Sequence, residues 1–215
     1  MNEFELIREF FAAQPVQRPD IALGIGDDAA VLDVPAGQQL VVSTDMLVGG
    51  VHFPEGTAPE AVGHKALAVN LSDLAAMGAD PAWFMLNLSL PETDRVWLQG
   101  FCAGLFRLAR EYRVALVGGD TTRGPLSLGI QIMGLVPKGA ALTRAGARPG
   151  DRIYVTGNLG EGALGLALLQ GRVQIPEEFQ RALVTHLEYP QPRVAAGQAL
   201  RGIASACIDL SDGLL

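Results

Sequence analysis

Apolar and polar positions in the first 137 residues recur with two different periods. Short apolar runs bounded by turn residues predict strands, whereas longer stretches with apolar residues three and four apart predict helices. Because strands and long helices alternate, the pattern predicts a sheet with both long helices on one side. The predicted elements are helices at residues 2–11, 59–78 and 93–112, and strands at residues 29–34, 39–44, 48–53, 82–90, 114–117 and 126–136.

The chain after residue 137 has a different composition. Residues 138–149 are rich in Gly, Ala and Arg and predict a connector, and strands are predicted beyond it at 151–156 and 206–210, with three helical segments between them. We therefore predict a mixed α+β or α/β fold with an N-terminal domain at residues 1–137 and an α/β C-terminal domain at residues 138–215. Because a buried strand and a new helix start are unusual places for a domain to end, we expect this second domain to be incomplete.

Composition and charge exclude several classes of protein. Apolar residues make up 49% of the 215 residues and charged residues 18%, which favours a packed core over disorder. A net charge of -7 argues against a nucleic-acid partner, because phosphate contacts need clustered Lys and Arg. No apolar run approaches the roughly 20 residues of a membrane span. The acidic N-terminal segment is not a signal peptide, and Cys102 and Cys207 lie in apolar settings, so we predict a cytoplasmic protein with reduced thiols.

Aspartates stand beside glycines or hydroxyl residues in several separate stretches. They follow Gly24-Ile25-Gly26, Ser43-Thr44 and Gly118-Gly119, and they flank Leu210-Ser211 near the end of the chain. One more lies three residues after Asn70 on the same helix face, near an apolar stripe where an unpaired charge is costly. Oxygen donors without sulfur are the ligands of hard cations such as Mg²⁺. The residues predicted to hold several divalent ions are Asp28, Ser43, Thr44, Asp45, Asp73, Asp120, Asp209 and Asp212.

Motifs that are absent narrow the chemistry further. The sequence has no P-loop pattern, its histidines are dispersed, and no serine lies in a nucleophile elbow. Gly160-x-Gly162-x-x-Gly165 matches the dinucleotide fingerprint but lacks the acidic strand end that should follow, so it favours a close-packed helix start. The remaining hypothesis is magnesium-dependent phosphoryl transfer, with Arg144 as a bidentate phosphate contact. An acceptor that is itself a phosphate monoester would be largely a dianion and would need no catalytic histidine.

Taken in chain order, these motifs resemble the thiamine-monophosphate kinase family, within the superfamily that includes aminoimidazole-ribonucleotide synthetase and selenophosphate synthetase. Each motif is weak by itself, but together and in this order they are specific, and the resemblance extends over essentially the whole chain. The matching stretches are residues 24–28, 43–45, 51–53, 66–79, 118–122, 142–144 and 208–213.

The resemblance implies that the γ-phosphate of ATP is transferred to thiamine monophosphate, giving thiamine diphosphate, with several Mg²⁺ ions as cofactors. It implies a homodimer formed through the N-terminal sheet, with ATP in a cleft between the domains. The family continues beyond the final Ser-Asp-Gly and takes thiamine-ring contacts from there, so we expect this chain to catalyse poorly. The resemblance further implies that the eight residues named above are magnesium ligands and that Asp45, Asp120 and Asp212 are catalytic. It also implies that ATP is contacted by Gly119, Asp120, Arg144 and Ser211, and that the thiamine phosphate is contacted by His52.

Two alternatives stay open on the sequence. One is a sister ATP-dependent synthetase of the same superfamily. The selenophosphate type should carry a reactive Cys in an N-terminal glycine-rich loop, where neither Cys102 nor Cys207 lies. The aminoimidazole-ribonucleotide type has different residues in its motifs. The other is a non-catalytic domain that binds divalent cations for stability. Hydroxyl–aspartate pairs at strand ends, together with a phosphate-type arginine, would be superfluous in such a domain.

Overall fold

A four-stranded sheet with two long helices on one face forms the core of the structure, a computed structural model that describes residues 3–12, 16–211 and 213. The fold is mixed α+β, as predicted. The elements in chain order are α1 (Glu3–Leu6), a π-helix (Ile7–Ala12), β1 (Ile21–Leu23), β2 (Val31–Leu32), β3 (Gln38–Val48), α2 (Pro59–Ala76), β4 (Asp80–Leu90), α3 (Arg95–Glu111), β5 (Ala115–Arg123), β6 (Ser127–Pro137), a 3-10 turn (Arg144–Gly146), α4 (Glu161–Leu169), α5 (Glu177–Glu188) and α6 (Val194–Ala199).

The strands of the main sheet are ordered β3-β6-β4-β5. The parallel pair β4 and β5 is joined through α3, whereas β6 pairs antiparallel with both β3 and β4. Apolar side chains on one face of the sheet, such as Leu86 and Ile130, join a single buried cluster with Leu67 and Leu71 of α2 and Leu105 of α3. Both long helices therefore lie on the same side of the sheet, which confirms the layer arrangement predicted from the sequence.

Local signals explain where the long helices begin and end. Pro59 occupies the first helical position of α2, where its missing N–H costs nothing. Gly78 follows the end of α2 with a φ of 65°, a left-handed conformation that favours glycine, and the N–H of Ala79 donates to the carbonyl of Leu74 at 2.8 Å. At the start of α3, the Asp94 carboxylate accepts from backbone N–H groups of the first turn.

The opposite, outer face of the sheet is only partly covered. The β1–β2 pair packs over Trp83, Ala115 and Val117 on the β4–β5 side of this face. The β3 side is open, and Val42 and Met46 are 48% and 65% exposed there. The sheet thus has one buried face and one face on which an edge strand presents apolar side chains to solvent.

The helices after residue 137 pack on each other and on α2. A Cβ on Gly165 of α4 would lie 2.4 Å from the carbonyl oxygen of Leu183, so the last glycine of the Gly160–Gly165 motif serves close packing of α4 on α5. β6 ends at Pro137, where the predicted connector begins, and the division into domains at this residue stays a prediction. No helix among the described residues is long and apolar enough to cross a membrane.

Three predicted strands are wrong. Residues 48–53 form a turn, in which the N–H groups of Val51 and His52 both donate to the carbonyl of Val48. Residues 151–156 and 206–210 are not in strands, because a strand needs a partner for its backbone groups and neither segment pairs in a ladder within the described part of the chain. The β1 strand was not predicted, and residue 2 of the first predicted helix lies outside the described residues.

Candidate active site

Two of the predicted ligands meet where β3 passes the end of α2. The hydroxyl of Ser43 donates a hydrogen bond to Oδ2 of Asp73, which lies in the last turn of α2. The partial negative charge at a helix C-terminus disfavours a carboxylate there, so Asp73 needs nearby donors or a cation. The hydrogen bond from Ser43 supplies one such donor.

Asp209 lies close to the same point. Burial raises the pKa of its carboxyl group, and the neighbouring Asp73 carboxylate raises it further, while the Arg144 guanidinium and the Ser72 hydroxyl act in the opposite direction. Two neighbouring carboxylates in a half-buried place repel each other, and a bound cation would relieve that repulsion. The structure therefore brings Ser43, Asp73, Asp209 and Arg144 into one cluster.

Backbone contacts explain how Arg144 and Asp209 reach α2. The N–H of Leu142 donates to the carbonyl of Met77 at 3.1 Å, which ties the start of this segment to the end of α2. The N–H of Cys207 donates to the carbonyl of Thr143 at 3.0 Å. Residues 142–146 and 205–207 therefore run side by side near the end of α2. The first segment carries Arg144, and Asp209 follows the second segment by two residues.

Asp45 and Thr44 lie on opposite faces of β3. Asp45 is paired in register with Ile130, whose side chain is buried against the helices, so Asp45 is on the same side of the sheet as Ser43 and Asp73. Thr44 points to the outer side, where its hydroxyl donates to the carbonyl of Ile130 at 3.1 Å. The Ser43-Thr44-Asp45 stretch thus places side chains on both faces of the sheet.

Gly119 and Asp120 lie on β5, at the other edge of the sheet. Gly119 has a φ of 141°, and a Cβ there would lie 1.8 Å from the carbonyl oxygen of Leu86, so this position accepts only glycine. Asp120 is exposed and paired in register with Asn87 on the outer face. Three strand spacings of about 4.8 Å put its backbone roughly 14 Å from β3. The structure does not bring Asp120 and the cluster around Asp73 together.

The remaining predicted residues lie in loops. Asp28 is exposed, and its N–H donates to Oδ1 of Asp27 at 2.9 Å. Ser211 is exposed, and Asp212 lies outside the described residues. Among the residues that the structure describes, no group of three or more His, Cys, Asp or Glu side chains is arranged to hold a metal ion. That Asp28 and Asp212 bind magnesium and that Ser211 binds ATP stay predictions.

His52 is held by the turn that replaces the predicted strand. Its Nδ1 accepts a hydrogen bond from the N–H of Val48 at 3.0 Å. A neutral ring therefore carries its proton on Nε2, and the imidazole is exposed. This arrangement leaves an N–H donor facing solvent, which is a suitable contact for an anionic group.

Sequence reasoning did not assign Ser72, although the structure places its hydroxyl beside the Asp209 carboxylate. The sequence feature that could have identified Ser72 is its position immediately before Asp73, because two adjacent helix residues can contact two neighbouring segments. Asp80, Gln198 and Arg201 were also not singled out. They form a polar contact between the start of β4 and the residues around α6.

Comparisons with known proteins agree with this architecture. A family model described as AIR synthase related protein, N-terminal domain, matches residues 26–136, just over half of the chain. A Salmonella typhimurium protein named thiamine-monophosphate kinase is 55% identical over 216 residues, which is 100% of this chain and 66% of that protein. The crystal structure of thiamine-monophosphate kinase from Stenotrophomonas maltophilia is 50% identical, covers 100% of this chain and 69% of that chain, and superposes with a TM-score of 0.89. The chain belongs to the thiamine-monophosphate kinase family.

A third match is a solved structure that contains bound ligands. A thiamine-monophosphate kinase structure described as AaThiL complexed with AMPPCP and TMP is 35% identical, covers 88% of this chain and 61% of that chain, and has a TM-score of 0.78. The resemblance to the thiamine-monophosphate kinase family is thus confirmed over the whole chain, rather than to a sister synthetase. The chain spans 66% of the length of its Salmonella relative.

Proposed function

We propose that this protein transfers the γ-phosphate of ATP to thiamine monophosphate in a magnesium-dependent reaction that yields thiamine diphosphate and ADP. The observation that carries the proposal is the meeting of Ser43, Asp73, Arg144 and Asp209, which come from four separate segments. Membership of the thiamine-monophosphate kinase family supports it. So does the AaThiL relative, which is described as complexed with AMPPCP, an ATP analogue, and TMP.

The donor set fits magnesium, because it consists of carboxylate and hydroxyl oxygens. On the helix side of the sheet the proposed ligands are Ser43, Asp45, Asp73 and Asp209, and the raised pKa of Asp209 beside Asp73 indicates a place that favours a cation. The proposed ligands elsewhere are Thr44 and Asp120 on the outer side, Asp28 in its loop, and Asp212. Bound Mg²⁺ would offset the negative charge of the phosphates during transfer.

Other side chains are proposed to position the two phosphate groups. Arg144, beside Asp209, would turn its guanidinium to the ATP phosphates, with the bare backbone at Gly119 and the hydroxyl of Ser211 as further contacts. His52 would donate from Nε2 to the phosphate of thiamine monophosphate. That phosphate is the nucleophile and is largely a dianion at neutral pH, so no side chain has to remove a proton from it. Asp45, Asp120 and Asp212 are the proposed catalytic carboxylates.

A homodimer through the outer face of the sheet is part of the proposal. Leu40, Val42 and Met46 present apolar side chains from the edge strand β3, at exposures of 45%, 48% and 65%. An open edge with an apolar face favours association with a second copy, which would bury both. Thr44 and Asp120 lie on this same face, so a dimer packed there would enclose them. We place the protein in the cytoplasm, with Cys102 and Cys207 both reduced.

The activity is tested by incubating the complete protein with ATP, MgCl₂ and thiamine monophosphate and following thiamine diphosphate by chromatography. One molecule of ADP per thiamine diphosphate is expected, with no product when EDTA replaces MgCl₂. A parallel reaction without thiamine monophosphate measures ATP hydrolysis that is not coupled to phosphate transfer. Absence of thiamine diphosphate in the presence of Mg²⁺ would refute the proposal.

A further inference from the structure

The corner between α2 and β4, residues 75–80, is one of the places where the second half of the chain contacts the first. Leu142 is buried against it, with 5% of its surface exposed. A Cβ on Gly197 of α6 would lie 1.9 Å from the carbonyl oxygen of Ala75, and one on Gly78 would lie 3.2 Å from the carbonyl oxygen of Gly197. The backbone of α6 therefore rests directly on this corner.

Asp80 fastens this attachment with two polar contacts. Its Oδ1 accepts a hydrogen bond from Nε2 of Gln198 at 2.6 Å and from Nη2 of Arg201 at 2.7 Å. Hydrogen bonds between ionised groups are stronger than neutral ones, and the arginine side chain is only 20% exposed. These three side chains, here named the Asp80 clasp, join residues that are about 120 positions apart in the chain.

The clasp joins the two segments of the chain that carry the two halves of the candidate magnesium site. Asp73 is seven residues before Asp80, on the helix that leads into the corner, and Asp209 is eight residues after Arg201. The segment that carries Asp209 is in turn hydrogen-bonded to Thr143, the residue next to Arg144. A shift of α6 on the corner would therefore move Asp209 and Arg144 together, relative to Asp73.

We propose that Asp80 is a positioning residue, which through Arg201 and Gln198 holds Asp209 and Arg144 opposite Asp73 in the arrangement that binds Mg²⁺ and ATP. The inference deepens the proposed function and rests on it for its kinetic readout. Asp80 itself contacts neither substrate in this role. Its loss would leave every proposed ligand in place but would lower the fraction of molecules in which the two halves are aligned.

The kinetic test uses Asp80→Ala and Arg201→Ala in the complete protein. A ligand that binds only the aligned state has its apparent affinity reduced by the fraction of that state, so KM for Mg·ATP should rise about fivefold to tenfold, while kcat at saturation stays within about twofold. The double variant should be no worse than Asp80→Ala alone, because that substitution already removes the contact to Arg201. Glu9→Ala, which removes the ion pair to Arg95 at the far end of α3, is the control and should leave KM unchanged.

Hydrogen exchange supplies a readout that does not depend on activity. In Asp80→Ala, amides of residues 194–210 should exchange faster than in the wild type, while those of α2 and α3 stay unchanged. An unchanged KM in both single variants, a loss of kcat at constant KM, or unchanged exchange over 194–210 would each overturn the positioning role. A wild-type protein without kinase activity would refute the proposed function instead, and the clasp would then be decided by the exchange result alone.

Discussion

Replacing Gly119 with alanine should damage both the stability and the activity of this protein. The new Cβ would lie 1.8 Å from the carbonyl oxygen of Leu86, less than a normal van der Waals contact, and both atoms belong to the rigid pair β4–β5. Overpacking of this kind costs typically 1–3 kcal/mol, or about 2 kcal/mol here. The left-handed backbone adds roughly 1 kcal/mol for a residue with a Cβ. We therefore expect a loss of about 3 kcal/mol in the free energy of unfolding.

Urea unfolding of the complete protein measures this loss, and Gly26→Ala separates its two causes. Gly26 has a comparable φ of 125°, but a Cβ there meets nothing within 4 Å, so that variant should lose only the backbone contribution of about 1 kcal/mol. Asp120 follows Gly119 directly, so kcat should also fall in Gly119→Ala at temperatures where the variant is folded. Equal stability losses in the two variants would refute the clash as the cause.

Three further outcomes follow from the site and its surroundings. Asp73→Asn keeps an acceptor for the Ser43 hydroxyl but removes a charge beside Asp209, so turnover should fall about 100-fold or more, while the melting temperature without Mg²⁺ stays equal or rises. Asp33→Asn in an exposed loop is the control. Retained turnover in Asp73→Asn would exclude Asp73 as a ligand. Burial lowers the pKa of His64 from its ordinary 6.5, so the unfolded chain binds this proton at a higher pH than the folded protein does. The free energy of unfolding should therefore be full above pH 6.5 and decrease as the pH falls below it. His64→Gln should flatten this decrease in urea titrations at several pH values, and an unflattened profile would exclude His64 as its source. Val42→Lys on the open face of β3 should shift the complete protein from dimer to monomer in analytical ultracentrifugation; an unchanged dimer would place the interface elsewhere.

The long elements of the fold were predictable because their signals are local. Helix α2 is delimited by Pro59 and Gly78, and each acts through its own backbone preferences rather than through distant contacts. The central strands were predictable in the same way, from apolar runs between turn signals. Their burial then confirmed which side of the sheet carries the helices.

Elements whose state depends on partners were not predictable. Residues 151–156 are apolar and β-branched enough to predict a strand, but a strand exists only where another backbone accepts its hydrogen bonds, and propensity carries no information about that partner. Residues 48–53 similarly read as a strand, although two glycines allow the chain to turn back and bind its own carbonyl at Val48.

The same distinction between local signals and distant contacts applies to the candidate site. The sequence by itself determined the family and the stretches that are rich in carboxylate and hydroxyl oxygens, because each of these is a property of residues that are close together in the chain. Only the tertiary structure decided that Ser43 and Asp73 share one side of the sheet with Asp209, that Thr44 and Asp120 lie on the other, and that Asp80 fastens the two halves. Those relations depend on strand register and on helix docking, which arise from contacts between residues far apart in the sequence.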